Sequence, residues 1–314
     1  MSDGRDASTG DAAVDTAGEP ASATPGARVH DLGYKRYTGT RRAQRTRYRV
    51  IGKKLLGSAW RGWWRMKLWV VGACLVTFVS SVLMYVSEGV SRFLRDGQKL
   101  PLADALLPMS WQFFQIWAFA LSMTVLAAVV ANDMRTGAFE FYFSRPVRTR
   151  DYVLGKVLGA VMIMGSVLFL GPLALAIVRL GLSEDVAGAL HLLPKAALVG
   201  ALATAAYAVV PLTFSAISSN RMHTIPAWGA FYFMTTIVVR LVSRETGILE
   251  LEALNIPRSI LTLAYAVFDV VPMVDAERPS ATVAVAGLLG YVVVGLAVLL
   301  WRVSAAEKHG MGGA

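Results

Sequence analysis

Cysteine is almost absent from this chain, and so are the residue constellations that carry out catalysis. Cys74 is the single cysteine, so no intrachain disulfide and no cysteine-based metal site can form. It falls inside an apolar run, where a small buried or lipid-facing residue is expected. The four histidines, His30, His191, His223 and His309, are scattered, and none is spaced against another as a metal site requires. Neither a Gly-x-Ser-x-Gly elbow nor a His-Glu-x-x-His pair occurs, which removes two common hydrolytic arrangements. Gly52-Lys53 and Gly155-Lys156 lack the upstream glycine spacing and the following Ser/Thr of a phosphate-binding loop. Neither catalysis nor a resident cofactor or metal is therefore expected. Charge is scarce too, at 17% of residues, and none falls in the middle of an apolar block. That weighs against a proton or ion relay, although carriers can also use backbone carbonyls.

Apolar residues are what the chain has in surplus. They make up 55% of it, with a mean hydropathy of +0.51, well above a soluble domain. The surplus is gathered into blocks long enough to cross a bilayer. The expected fold is an all-α polytopic membrane protein with six spans, at about 68–86, 112–131, 154–178, 196–217, 226–242 and 281–301. Gly171-Pro172 interrupts the third near its far end, Pro211 lies in the fourth, Pro226 opens the fifth, and Trp301-Arg302 closes the sixth. No secretory signal peptide is expected, since the first apolar stretch begins near residue 68.

The net charge of +10 is concentrated rather than spread. Residues 28–67 hold thirteen Lys/Arg against one Asp, whereas residues 68–314 hold seventeen against fifteen acidic residues. A juxtamembrane excess of this kind points to anionic headgroups and topology, not to nucleic acid. Residues 1–27 carry five acidic residues against Arg5 and no aromatic, so a disordered tail is expected over 1–30. A basic segment follows over 31–67, then a six-span domain over 68–302 and a short tail over 303–314. Within 49–67, Ile51, Leu55, Ala59, Gly62 and Met66 follow one helical face, while Lys54, Arg61 and Arg65 follow another. Trp60, Trp63 and Trp64 sit beside the apolar face. Such a helix suits the headgroup layer, or is a basic topology signal with incidental tryptophans. With the N-terminus in the cytoplasm, the inner segments from residue 28 on hold 21 Lys/Arg and the outer segments 9, so both termini are expected inside. The outer loop 243–280 contains an apolar stretch between Pro257 and Pro272, too short to cross. It either dips back into the outer leaflet or caps a cavity where protein shields its ends, or it lies flat on the membrane surface.

Residues 131–156, ANDMRTGAFEFYFSRPVRTRDYVLGK, form the one long charged interruption set tightly between two apolar blocks. At about 3.6 residues per turn, Asp133, Gly137, Glu140 and Ser144 share one face of a helix, with Ala138, Phe139, Tyr142 and Phe143 roughly opposite. Arg145-Pro146 ends that helix, and Arg148, Arg150 and Tyr152 lead to Gly155-Lys156. Read alone, this is either a docking element or a packed hairpin whose charges set topology.

The pattern resembles the signature of ABC exporter permeases of the ABC-2 type. There an acidic residue, a glycine, a second acidic residue and a Ser/Thr-x-Pro-Val turn precede a Gly-Lys that opens the third span. Asp133, Gly137, Glu140, Ser144, Pro146, Val147, Tyr152, Gly155 and Lys156 match in order. Asp133 stands where glutamate is usual and Arg148 where a small hydroxyl residue is common. The resemblance, which covers about residues 49–302, implies a permease in the inner (plasma) membrane that pairs with a second copy of itself or a related permease. It also implies a separate ATPase subunit with Walker motifs, which would hold the ATP and magnesium, and a coupling helix at about 133–144 docked into it, with Arg145 and Arg148 beside the contact. A secondary carrier or channel, or a membrane assembly factor without transport activity, is the competing reading.

Overall fold

The computed structural model describes residues 46–61, 66–93, 102–143, 147–183, 185–272 and 278–310. The chain divides into two units, Met1–Arg42 and Ala43–Ala314, and every described residue belongs to the second. The tail over 1–30, Trp63, Trp64, Arg65, Ser144, Arg145 and Pro146 lie outside the described residues.

Among these, every regular element is helical. A helix α1 (Arg47–Arg61) precedes the first long helix, α2 (Lys67–Phe93). The next crossing joins α3 (Leu102–Leu121), one π-helical turn (Ser122–Leu126) and α4 (Val129–Arg135). A six-residue helix α5 (Ala138–Phe143) leads to α6 (Thr149–Leu168) and α7 (Leu170–Leu182). One turn, α8 (Val186–Ala189), precedes α9 (Leu192–Ile217), and α10 (Arg221–Thr246) follows. A 3₁₀ segment (Leu249–Leu254) leads to α11 (Ile256–Phe268), and α12 (Ala281–Gly310) ends the bundle. Six stretches are long and apolar enough to cross a membrane: Lys67–Ser91, Asp104–Arg135, Thr149–Leu182, Val186–Ile217, Arg221–Thr246 and Ala281–Lys308. Their outward faces are apolar. On α2, Val71, Leu75, Phe78 and Val82 recur at helical spacing and are all exposed, which suits lipid rather than water.

Several boundaries differ from the expectation, each for a local reason. The third span breaks at Phe169, not at Gly171-Pro172. The ring of Pro172 conflicts with the carbonyl four residues earlier, so α6 stops at Leu168 and Phe169 adopts φ −105°. The fifth span starts at Arg221 rather than Pro226, because Asn220 Oδ1 accepts from the Met222 amide at 3.0 Å and caps the helix there. The last helix, α12, runs on past Trp301-Arg302 to Gly310. The π turn has no counterpart in the expectation. Ala127 N reaches back five residues to Ser122 O at 2.9 Å. The restarted helix α4 would then lack partners for its first amides. Ser215 Oγ of α9 supplies one, accepting from Val130 N at 2.8 Å and Ala131 N at 3.1 Å.

The short apolar helix of the 243–280 loop, α11, packs into the bundle. Ile256, Ile260, Leu263, Ala264 and Phe268 are buried, against α3, α9 and α12. Its apolar face is thus covered by protein.

Helix α1 is the larger revision. Its apolar face, Ile51, Leu55 and Ala59, is buried against α6, while Lys54 and Arg61 are exposed. The two backbones meet across glycines. A Cβ on Gly155 would lie 2.8 Å from Tyr48 O, and one on Gly159 would lie 3.0 Å from Gly52 O. Gly155-x-x-x-Gly159 is thus the small-residue spacing that lets two helices approach closely. The face assigned to headgroups is spent on protein. The basic face stays outward with half-exposed Trp60, whose ring lies 5.6 Å from Lys67 Nζ.

Candidate functional site

The 131–156 stretch folds differently from a single amphipathic helix. α4 ends at Arg135, and Thr136-Gly137 makes a turn in which Gly137 has φ +66°. That left-handed conformation costs an L side chain about 1–2 kcal/mol, so a glycine here is a helix stop. Asp133 therefore belongs to the end of the second span and Glu140 to the separate α5, so the two do not lie on one continuous helix.

What the break achieves is visible at Asp133. Its carboxylate turns inward, toward the start of α6. Tyr152 Oη donates to Asp133 Oδ2 at 2.8 Å, and Lys156 Nζ reaches the same oxygen at 2.6 Å. Lys156 is only 6% exposed, so its ammonium depends on that carboxylate. Its Nζ also lies 5.5 Å from the centre of the Tyr152 ring. α5 rests on the same tyrosine. Phe139 meets the Tyr152 ring edge-on at 5.2 Å, and Tyr142 meets it at 5.5 Å. Burial first, and the Asp133 carboxylate second, raise the pKa of the Tyr142 phenol, which therefore stays protonated. Thr149, in the first turn of α6, hydrogen-bonds Glu307 near the end of α12. The exposed Arg148 sits in extended backbone as the residue preceding α6, and its carbonyl accepts from Asp151 N and Tyr152 N.

Asp133, Tyr152 and Lys156 are thus brought together. Gly155 faces α1 instead, and Gly137 shapes the turn. Beside the cluster lies a cavity of about 500 Å³ lined by Asn132, Asp133, Lys156 and Arg221 together with Leu55 and Ala59 of α1. Sequence reasoning missed Ser215 and Glu307, since neither lies near 131–156 in the chain. Among the described residues, no group of three or more His, Cys, Asp or Glu is placed to hold a metal ion. The arrangement is a joint of two helix ends and a connecting helix on one tyrosine.

The family model described as "ABC-2 family transporter protein" matches residues 102–274, more than half of the chain. The chain belongs to the ABC-2 transporter family. The match runs from the start of α3 to just beyond α11 and so contains the joint, the π turn and the buried α11. A search of the curated proteins found no match. As an ABC-2 family member with six apolar crossing helices, the chain is an integral multi-pass membrane protein and a permease of an ABC-type system. Permeases of the ABC-2 family normally work with an ABC ATPase.

Proposed function

We propose that the chain is the membrane-spanning subunit of an ABC exporter in the inner (plasma) membrane, with both termini in the cytoplasm. In this reading it pairs with a second copy of itself or a related permease. A separate ATP-hydrolysing subunit, which binds ATP and magnesium, docks on the connector 136–148. α5 is the coupling helix, and Glu140, Ser144, Arg145 and Arg148 belong to the contact. Asp133, Tyr152, Gly155 and Lys156 act from behind it.

The observation that carries this reading is the anchoring of α5 on Tyr152, which in turn holds Asp133 beside Lys156. A push on α5 reaches both flanking spans through one side chain. A hairpin that merely reversed the chain would need no such link. Movement of a docked element between two states is a known way to switch a bundle. The excess of Lys/Arg in the segments expected inside, 21 against 9 from residue 28 on, supports its cytoplasmic placement.

The test is Glu140→Arg in the full chain, expressed with the neighbouring ATPase. Charge reversal at a docked contact can cost several kcal/mol, whereas on a free surface it costs about 0.5 kcal/mol or less. The ATPase is expected to stop copurifying while the permease keeps its unfolding temperature in detergent. Unchanged copurification and transport would remove α5 from the contact.

A further inference from the structure

At the end of the bundle that carries the joint, α1 packs on α6, while α10 packs on α9, α4 and the π turn. The gap left between α1 and α10 is the cavity of about 500 Å³ beside the joint, in the size range of small-molecule sites. Its polar lining holds both signs of charge. Asp133 and Lys156 come from the joint, Asn132 precedes Asp133 on α4, and Arg221 is the first residue of α10. The joint does not use up these groups. Tyr152 Oη and Lys156 Nζ both meet Asp133 Oδ2, and Oδ1 of the same partly exposed carboxylate has no partner among the described residues. Arg221 is exposed, and its guanidinium has neither an ion pair nor a hydrogen bond among the described residues. Asp133 and Lys156 cancel, so Arg221 leaves the lining with a positive excess.

Most of the remaining lining is apolar, and one side leads outward. Leu55, Ala59, Val125 and Val129 are buried or half-buried. Met222 and Pro226 line the cavity too and are exposed. Phe233 and Ile237 continue the same face of α10 at helical spacing, and both are exposed as well. A head placed at Arg221 therefore has an apolar track running from it along a crossing helix. A lining of both signs with such a track is complementary to a molecule that carries both signs and a tail. A guanidinium matches phosphate oxygens in pairs, and a carboxylate oxygen binds an ammonium donor more strongly than a neutral hydroxyl.

From this we infer that the cavity binds the phosphoethanolamine head of a zwitterionic amphiphile. The phosphate pairs with Arg221, the ammonium donates to Asp133 Oδ1 and Asn132 Oδ1, and the tail leaves past Met222 and Pro226 along α10. The ligand then touches the joint itself, since its ammonium shares a carboxylate with Tyr152 and Lys156. That such a molecule is cargo rests on the permease reading above; that it binds does not.

Binding is measured on the purified full chain in neutral detergent, by native mass spectrometry and thermophoresis. The probes are the dioctanoyl forms of phosphatidylethanolamine, phosphatidylglycerol and phosphatidylcholine, with free phosphoethanolamine as competitor. Affinity for the three lipids is expected to fall in that order, because the glycerol head donates only hydroxyls and the choline head donates nothing. Arg221→Gln should weaken the ethanolamine lipid about tenfold, and Arg221→Lys should weaken it less. Val129→Phe, which keeps every charge and fills the cavity, should weaken all three lipids. Asp133→Asn/Lys156→Met, which strands neither charge, should lose the preference for the ethanolamine head over the choline head. Choline lipid binding as tightly as ethanolamine lipid, or glycerol lipid binding more tightly, overturns the inference. So does affinity untouched by Arg221→Gln or by Val129→Phe, or a preference that survives in the double variant. Free phosphoethanolamine competing at equal strength overturns the amphiphile and makes the free zwitterion the ligand. The isolated chain is used, so failure to find an ATPase partner would overturn the permease reading and leave this one standing.

Discussion

Lys156 of α6 and Asp133 of α4 meet at 2.6 Å across a connector that neither residue belongs to. The lysine is almost fully buried, and the carboxylate side chain retains 17% exposure. The two ends of the pair are therefore unequal: water can replace the lysine for the aspartate, but little can replace the aspartate for the lysine.

Asp133→Ala should accordingly destabilise the bundle more than Lys156→Met. Stranding one member of a buried pair costs about 3–5 kcal/mol, whereas exchanging both for apolar residues is often neutral. The double variant Asp133→Ala/Lys156→Met is expected to unfold closer to the native temperature than Asp133→Ala alone. Unfolding midpoints in detergent give the order directly. A benign Asp133→Ala would mean that the ion pair contributes nothing.

Gly159→Leu should pry α1 from α6. The first added carbon already lies 3.0 Å from the Gly52 carbonyl oxygen, and forced overpacking costs about 1–3 kcal/mol. In a Cys74→Ala background, Ala59→Cys reports the result, since Ala59 is buried in the native contact. Thiol labelling at that cysteine is expected to rise when Leu replaces Gly159, and only slightly with Ala. Equal labelling would show that α1 is not held by this seam.

Gly137 gives a graded series. Nothing lies within 4 Å of a Cβ placed there, so substitutions act through backbone conformation alone. Asn tolerates the left-handed region, Ala less so, and Val pays about 1–2 kcal/mol or more. ATPase copurification should fall in the order Asn, Ala, Val, with the bundle's unfolding temperature nearly constant. A loss that ignores this order would separate the turn from the coupling role.

Orientation is read with an impermeant thiol reagent on intact cells, again without Cys74. Leu190→Cys and Ile248→Cys, both at exposed positions, are expected to react from outside. Arg148→Cys, also at an exposed position, should react only after permeabilisation. The reverse pattern would place the joint outside the cell and separate it from any cytoplasmic ATPase.

The six crossings were readable in advance because long, predominantly apolar blocks have few other destinations. The breaks within them were not. Ser122–Leu126 contains neither glycine nor proline; its departure from the α-helix is supported by Ser215 and by Trp228, whose Nε1 donates to Ser122 Oγ at 2.8 Å. Those partners come from other spans and leave no local trace. The α1 face failed for a related reason, since an apolar stripe looks the same whether lipid or protein covers it. The clue was present in Gly155-x-x-x-Gly159, which the family pattern drew toward coupling instead. Asp133, Tyr152 and Lys156 were named individually, yet their meeting depends on how two antiparallel helices are rotated.

The joint at Asp133 has a counterpart at the far end of the same two spans. Arg179, at the end of α7, holds Asp104, at the start of α3, at 2.7 Å, with Glu88 of α2 at 3.7 Å. The second and third spans are therefore riveted at both extremities, each time with the acid on one rod and the base on the other. Rods fastened in this way cannot slide lengthwise or roll about their axes without shearing a rivet. The freedom left to them is to bow, and the compliant points are already marked by the interrupted hydrogen-bond ladders at Ser122–Leu126 and Phe169. In the permease proposed above, a stroke arriving at one end of this pair would go into curvature rather than piston travel.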